Sequence, residues 1–199
     1  MCTAAEGGRV DILRRARELD CPWDEGTCAQ AAEGGYLKVL KWAREHGCPW
    51  EEDIVDHPGF DCCALAAVGG HLAVLKWLRE NRCPWGEMTC ARAAEGGHLK
   101  VLKWARQHGC PWVENIGDTE LDCCALAAFG GHLTVLKWLR EHNSPWNSRT
   151  CAWAALGGRL KVLKWARARN CPWDGETRQF AEQHGHLELL QWAVEHGAP

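Results

Sequence analysis

The sequence predicts an all-α solenoid of seven helix-turn-helix repeats, and three observations carry that prediction. The phrase GHLKVLKWARQHGCPW at 97–112 returns in near-copies at 35–50, 70–85, 131–146 and 158–173, and in divergent copies at 8–23 and 185–199. Within a copy, apolar residues sit at helical spacing: Val39, Leu40, Trp42 and Ala43 share one arc, and Lys38, Lys41, Arg44 and Glu45 the other. Glycine pairs at 34–35, 69–70, 96–97, 130–131 and 157–158 punctuate the units. No single helix pair could hide its own apolar arc, so copies must lie flank to flank.

Taken in order, the units run approximately 1–23, 24–50, 51–85, 86–112, 113–146, 147–173 and 174–199, one repeat domain spanning 1–199. Residues 1–6 supply only part of a first helix, so the first repeat is expected to be truncated or to continue a longer chain. Each first helix is short and alanine-rich, as in Cys28-Ala29-Gln30-Ala31-Ala32-Glu33, which lets adjacent helices approach closely. Thr27, Thr89, Thr150 and Thr177, or Asp61 and Asp122, stand at the expected N-caps, and Thr27 with Gln30 reads as a capping box. The glycines supply a left-handed turn that residues with a Cβ resist. The second helix follows and stops at Gly47 and Pro49, or their counterparts. In the last repeat Glu182, Glu188, Gln191 and Glu195 replace packed or basic residues, as a polar terminal cap requires.

The run Cys-Ala-x-Ala-Ala-x-Gly-Gly-His-Leu-x-Val-Leu-Lys-Trp-Leu resembles the ankyrin repeat, Thr-Pro-Leu-His-x-Ala-Ala-x-x-Gly-His-Leu-x-Val-Val-x-Leu-Leu, along essentially the whole chain. The departures are consistent. Gly-Thr-Cys-Ala or Asp-Cys-Cys-Ala replaces Thr-Pro-Leu-His, with loss of its hydrogen-bonding histidine. Trp42, Trp77, Trp104, Trp138, Trp165 and Trp192 occupy a leucine slot, and Cys-Pro-Trp stands where Ala-Asp-Val is common. This variant looks like the multi-copy ankyrin arrays of some unicellular algae and large DNA viruses. The resemblance implies an ankyrin-like α-solenoid that binds proteins, and it implies a structural role for His71, His98, His132 and His186. Successive Cys-Pro-Trp motifs, counting Ser144-Pro145-Trp146, lie 27, 35, 27, 34 and 27 residues apart. The short steps leave no room for a β-hairpin finger; the long ones keep finger-length loops at 51–60 and 113–121.

Composition narrows the function classes. The chain is 46% hydrophobic and 25% charged with net charge −3, so it has no global attraction to polyanions. Its first residues lack the apolar core of a signal peptide, and no segment approaches a membrane span. Thirteen cysteines without an export signal imply reduced thiols in a cytoplasmic or other reducing compartment. They recur at two positions of the repeat, and Ser144 in one such slot fits a small core residue better than an obligatory ligand. No Cys-x-x-Cys, nucleophile elbow, phosphate loop or His-Glu-x-x-His occurs, so no catalytic, cofactor or metal residues are assigned. Equivalent thiols of stacked repeats are expected to stay roughly 8–10 Å apart, too far for shared zinc or a disulfide.

Two surfaces remain as candidates. One combines the acidic loops, with Glu51, Glu52, Asp53, Asp56, Glu114, Asp118 and Glu120, and apolar residues at the ends of first helices: Val68, Phe129 and Leu156, with Trp153 one turn earlier. Apolar groups rimmed by carboxylates suit a basic, partly apolar protein partner bound by a monomeric array, alone or within a larger complex. The alternative is contact with nucleic acid or an anionic surface through a stripe of lysines and arginines on the second helices. A solvated face is the plainer reading of that stripe, since the sequence shows no aromatic platform interleaved with it. A thiol-based metal or redox protein is the third. The thirteen tryptophans read as bulky filler over the joints between repeats.

Overall fold

The structure, a computed structural model, describes residues 5–23, 26–49, 61–112 and 122–199; the loop carboxylates Glu51, Glu52, Asp53, Asp56, Glu114, Asp118 and Glu120 lie outside them. Among the described residues all regular structure is helical. The helices are α1 (Val10–Glu18), α2 (Gly26–Glu33), α3 (Leu37–Glu45), α4 (Cys62–Val68), α5 (Leu72–Glu80), α6 (Glu87–Glu95), α7 (Leu99–Gln107), α8 (Cys123–Gly130), α9 (Leu133–Glu141), α10 (Ser148–Leu156), α11 (Leu160–Arg167), α12 (Gly175–Gln183) and α13 (Leu187–Glu195). No described helix is long and apolar enough to cross a membrane. The chain divides into two compact units: Met1–Ala93 with Lys100–Cys110, and Ala94–Leu99 with Pro111–Pro199.

Packing within each unit follows from the two helix types. First helices stack on one another, α2 on α4 in one unit and α8 on α10 on α12 in the other. Their alanines permit this: Ala31, Ala32, Ala66, Ala67, Ala127, Ala128, Ala154 and Ala155 are fully buried. Second helices turn one aliphatic stripe inward, where Leu40, Leu75, Leu102, Leu136 and Leu163 are fully buried. Burying each such leucine contributes on the order of 2 kcal/mol before entropy. In the last repeat Glu182 and Glu188 are exposed, and so are Leu187 and Val194.

Asp61 and Asp122 are the N-caps of α4 and α8: the Asp61 carboxylate accepts from Ala64 N (3.0 Å), and Asp122 accepts from Cys124 N and Ala125 N (2.8 and 3.0 Å). Burial pushes both acids up, Asp61 to about 6, against the opposing pull of those N–H bonds. The threonine caps expected from sequence are not caps. Thr150 and Thr177 are third residues of α10 and α12, capped instead by Asn147, which accepts from Arg149 N (2.9 Å), and by Asp174, which accepts from Glu176 N (3.1 Å). Thr27 and Thr89 likewise lie inside α2 and α6. After a short step the chain enters its helix early, because the connecting backbone groups gain partners sooner there than in an open linker.

The paired glycines serve two different needs. Gly69 is a right-handed C-cap (φ −77°), a conformation any residue adopts, but a Cβ there would meet the Glu33 carbonyl oxygen at 2.6 Å. Gly157 (φ −82°) is pressed the same way by the Phe129 carbonyl. The second glycine of each pair is the left-handed one, as at Gly131 (φ 83°). One glycine admits the neighbouring backbone, and the other makes the turn.

Candidate functional site

Glu95, Phe129 and Leu156, each just before a glycine pair, turn their carbonyls toward the next repeat, whose second helix opens with a long polar side chain. Arg159 Nε donates to Phe129 O (3.0 Å), and the His186 ring Nε2–H donates to Leu156 O (3.1 Å). His132 reaches the Glu95 carbonyl in the same way, and burial holds its pKa below the ordinary histidine value. These residues sit at helix N-caps yet make no side-chain cap bond, because the side chain is committed to the preceding repeat. The structural role implied for His132 and His186 therefore has a mechanism: each hydrogen-bonds a backbone carbonyl of the preceding repeat.

That anchoring fixes the candidate binding residues. Phe129 and Leu156 close α8 and α10 with their carbonyls held, and their side chains look outward. Phe129 is 38% exposed, and Leu156 and Trp153 are half-buried. Phe129 and Trp153 meet edge to face, with ring centroids 6.3 Å apart and planes at 75°. Phe129 and Trp153 thus meet in one unit, Leu156 follows Trp153 by one turn of α10, and half-buried Val68 holds the corresponding helix-end position in the other. Glu33 and Glu95 stand at that position in their repeats, with Glu33 exposed and Glu95 half-buried.

The opposite helices carry the tryptophans, and their geometry was only partly legible in the sequence. Among the described residues, each ring at the Cys-Pro-Trp loop position meets the second-helix tryptophan of the following repeat: Trp23 with Trp42 (5.9 Å), Trp85 with Trp104 (5.9 Å), Trp112 with Trp138 (6.3 Å), Trp146 with Trp165 (6.0 Å) and Trp173 with Trp192 (6.2 Å). The two ladders are one zipper over the joints, which matches the filler reading. The arginines assigned to a solvated stripe belong to it. Arg44 and Arg106 Nη1 donate to the Cys48 and Cys110 carbonyls (2.6 Å each), and Arg79, Arg140 and Arg167 do the same to Cys83, Ser144 and Cys171. Arg79, Arg140 and Arg167 also cover Trp85, Trp146 and Trp173 at 4.1–4.3 Å from the ring centroids. Sequence reasoning missed this, although Arg and Cys four residues apart in five of the seven copies is the signal that could have found it.

Aromatic rings are therefore interleaved with the basic stripe, contrary to expectation, but they are not vacant platforms. His108 stacks on Trp104 at 4.3 Å, and the Lys76 ammonium lies 5.9 Å from the same ring. Trp192 is flanked likewise by His196 (4.2 Å) and Lys164 (5.7 Å). A base stacking there would have to displace groups of the protein itself. A groove of about 470 Å³ beside Lys76, Arg79, Trp85, Trp104 and His108 also contains Glu80, which works against a phosphate.

Helix pairs joined by glycine turns, packed first helix on first helix, match a solved structure: the ankyrin repeat domain of human ASB11 covers 86% of this chain and 83% of its own, with TM-score 0.61 and 15% identity. The chain has the ankyrin-repeat fold. No family model and no curated protein matches the sequence. The Cys-Pro-Trp form of this ankyrin-type array is where its own chemistry lies, and Cys28 and Cys48 show it: their sulfurs are 3.3 Å apart. The expected separation of thiols considered equivalent cysteines of successive repeats; it overlooked that the two positions within one repeat meet.

Proposed function

We propose that the chain is a non-catalytic protein-binding module, taking a basic, partly apolar segment of another protein on its first-helix face. Phe129, Trp153 and Leu156 supply the apolar contact, with Val68 in the same role in the other unit. Glu51, Glu52, Asp53, Asp56, Glu114, Asp118 and Glu120 supply the charge. The ankyrin-repeat fold is generally a protein–protein interaction module, and its repeated layers offer extended surfaces rather than solitary pockets. One observation carries the assignment of the face: an exposed phenylalanine held edge-on to a tryptophan, with its backbone pinned by Arg159. Rigid aromatic anchors of this kind dominate interface energetics.

The test is selection from a displayed peptide library, followed by affinity measurement on the recovered peptides. The wild-type chain should enrich sequences combining Lys or Arg with Leu or Phe. Phe129→Glu with Trp153→Ala should weaken them by roughly tenfold or more, as loss of a central anchor does, with an unchanged far-UV spectrum. Charge reversal at Asp53, Asp56 and Asp118 should weaken them further. If those variants bind normally while reversal of Lys38, Lys100 and Lys161 abolishes binding, or if the enriched ligands are acidic, the second-helix face is the binding surface instead.

A further inference from the structure

The binding reading makes no use of the cysteines. Each described repeat with both helices and a Cys-Pro-Trp motif brings two chain positions 20 residues apart to one place. Cys28 of α2 meets Cys48, which follows α3, at 3.3 Å between sulfurs. In the other repeats Cys83 interacts electrostatically with Cys62 and Cys63, Cys110 with Cys90, and Cys171 with Cys151. In the remaining such repeat the loop position is Ser144, and Cys124 Sγ lies 3.7 Å from its hydroxyl. The paired cysteines are buried, at most 3% exposed, whereas Cys21 is exposed.

We propose that these pairs are oxidative modification sites, at which a small-molecule disulfide such as oxidised glutathione converts the two thiols of one repeat into a disulfide tying its first helix to its Cys-Pro-Trp loop. A sulfur contact of 3.3 Å is only about 1.3 Å longer than a bonded pair, so closure needs a small local adjustment. Ser144 shows that the loop slot accepts another small residue, so core filling alone does not require sulfur at both positions. Arg44, Arg79, Arg106 and Arg167 place a guanidinium at the carbonyl of the loop cysteine in the same four repeats. Cys62 and Cys63, together with Arg79, hold the Cys83 thiol well below its ordinary value, so the loop cysteine is the first nucleophile there.

In the reaction as it runs at Cys83, the loop thiolate attacks one sulfur of oxidised glutathione; at Cys171, whose thiol is pushed up by Cys151 and by burial, the helix cysteine attacks first and the two roles exchange. The glutathione S–S bond breaks, and one glutathione leaves as thiolate with the electron pair. The helix cysteine, after giving its proton to solvent or to that leaving thiolate, attacks the loop sulfur of the mixed disulfide and expels the second glutathione. The two protein thiols lose two electrons and two protons; the glutathione disulfide gains them and becomes two thiols. Because both sulfurs are buried, the first step waits on local opening of the Cys-Pro-Trp loop.

The experiment incubates the full reduced chain with oxidised glutathione, quenches with acid, alkylates the remaining thiols and maps the peptides by mass spectrometry. The expected products are bonds from Cys28 to Cys48, Cys83 to Cys63 or Cys62, Cys90 to Cys110 and Cys151 to Cys171, each lacking two hydrogens. Cys124 should remain alkylatable, reduced glutathione should reverse the bonds, and Ser144→Cys should add a bond to Cys124. The proposal is overturned by bonds that mainly join different repeats, by mixed disulfides that never close, or by buried pairs that stay reduced while Cys21 is glutathionylated. Peptide selection by the reduced chain is a separate readout, so either proposal can fail alone.

Discussion

Alanine at Gly157 separates the two roles of the glycine pairs. The backbone there is right-handed (φ −82°, ψ −2°), so an alanine suffers no dihedral strain and, by restricting the unfolded chain, should stabilise by about 0.4–1 kcal/mol. What opposes it is the Phe129 carbonyl, which the new Cβ would meet well inside contact distance. Forcing in one methyl group costs about 1–3 kcal/mol as overpacking. Moving the carbonyl aside also sacrifices the 3.0 Å bond from Arg159, a further ~1 kcal/mol. The sum is a net loss of about 1–3.5 kcal/mol, or roughly 2–14 °C in melting temperature for a chain of this size. Two controls bracket it. Gly175, with open space around its Cβ and no positive φ, should gain stability on becoming alanine. Gly197 has the same open space but φ 79°, so its alanine should lose only the left-handed strain of about 1 kcal/mol. Thermal and urea unfolding followed by circular dichroism reads all three. If Gly157→Ala is as stable as wild type or more so, the repeats do not pack backbone on glycine as described.

The Asp61 carboxyl, raised by burial to about 6 from an ordinary value near 3.8, binds its proton more tightly folded than unfolded. Wild-type stability should therefore fall as pH rises from about 4 to 6.5, by at most about 3 kcal/mol from this group. Asp61→Asn keeps a cap acceptor for Ala64 N and removes this group's share of the fall, Asp122 keeping its own, so the gap between urea midpoints at pH 4.5 and 7 should narrow in the variant; an unchanged gap would contradict it. The Thr177 hydroxyl is fully buried without a hydrogen-bond partner, so Thr177→Val should raise stability by about 1 kcal/mol, and a loss of that size in calorimetry would mean that the hydroxyl is satisfied.

The helices and their order were legible because the repeat prints them several times, and periodicity with glycine punctuation is a local signal. Helix starts were read less well. Thr150 and Thr177 are good capping residues in isolation, but Asn147 and Asp174 stand three positions earlier and capture the first turn. The apolar patch was legible as positions, since Phe129 and Leu156 interrupt a register otherwise held by Glu33 and Glu95. Its support was not: the Arg159 and His186 bonds span 30 residues, a distance at which sequence spacing carries no direction. The same limit hid the thiol pairs, because which face of a first helix meets the loop of its own repeat is decided by packing.

Hydrogen–deuterium exchange with and without a selected peptide tests the central claim most directly, namely that partners bind the first-helix face while the tryptophan zipper only joins repeats. Slowed exchange is expected in α8 and α10, over 123–130 and 148–156, with the second helices unchanged. Protection confined to α9 and α11, over 133–141 and 160–167, would place the partner on the tryptophan and lysine side and contradict the account.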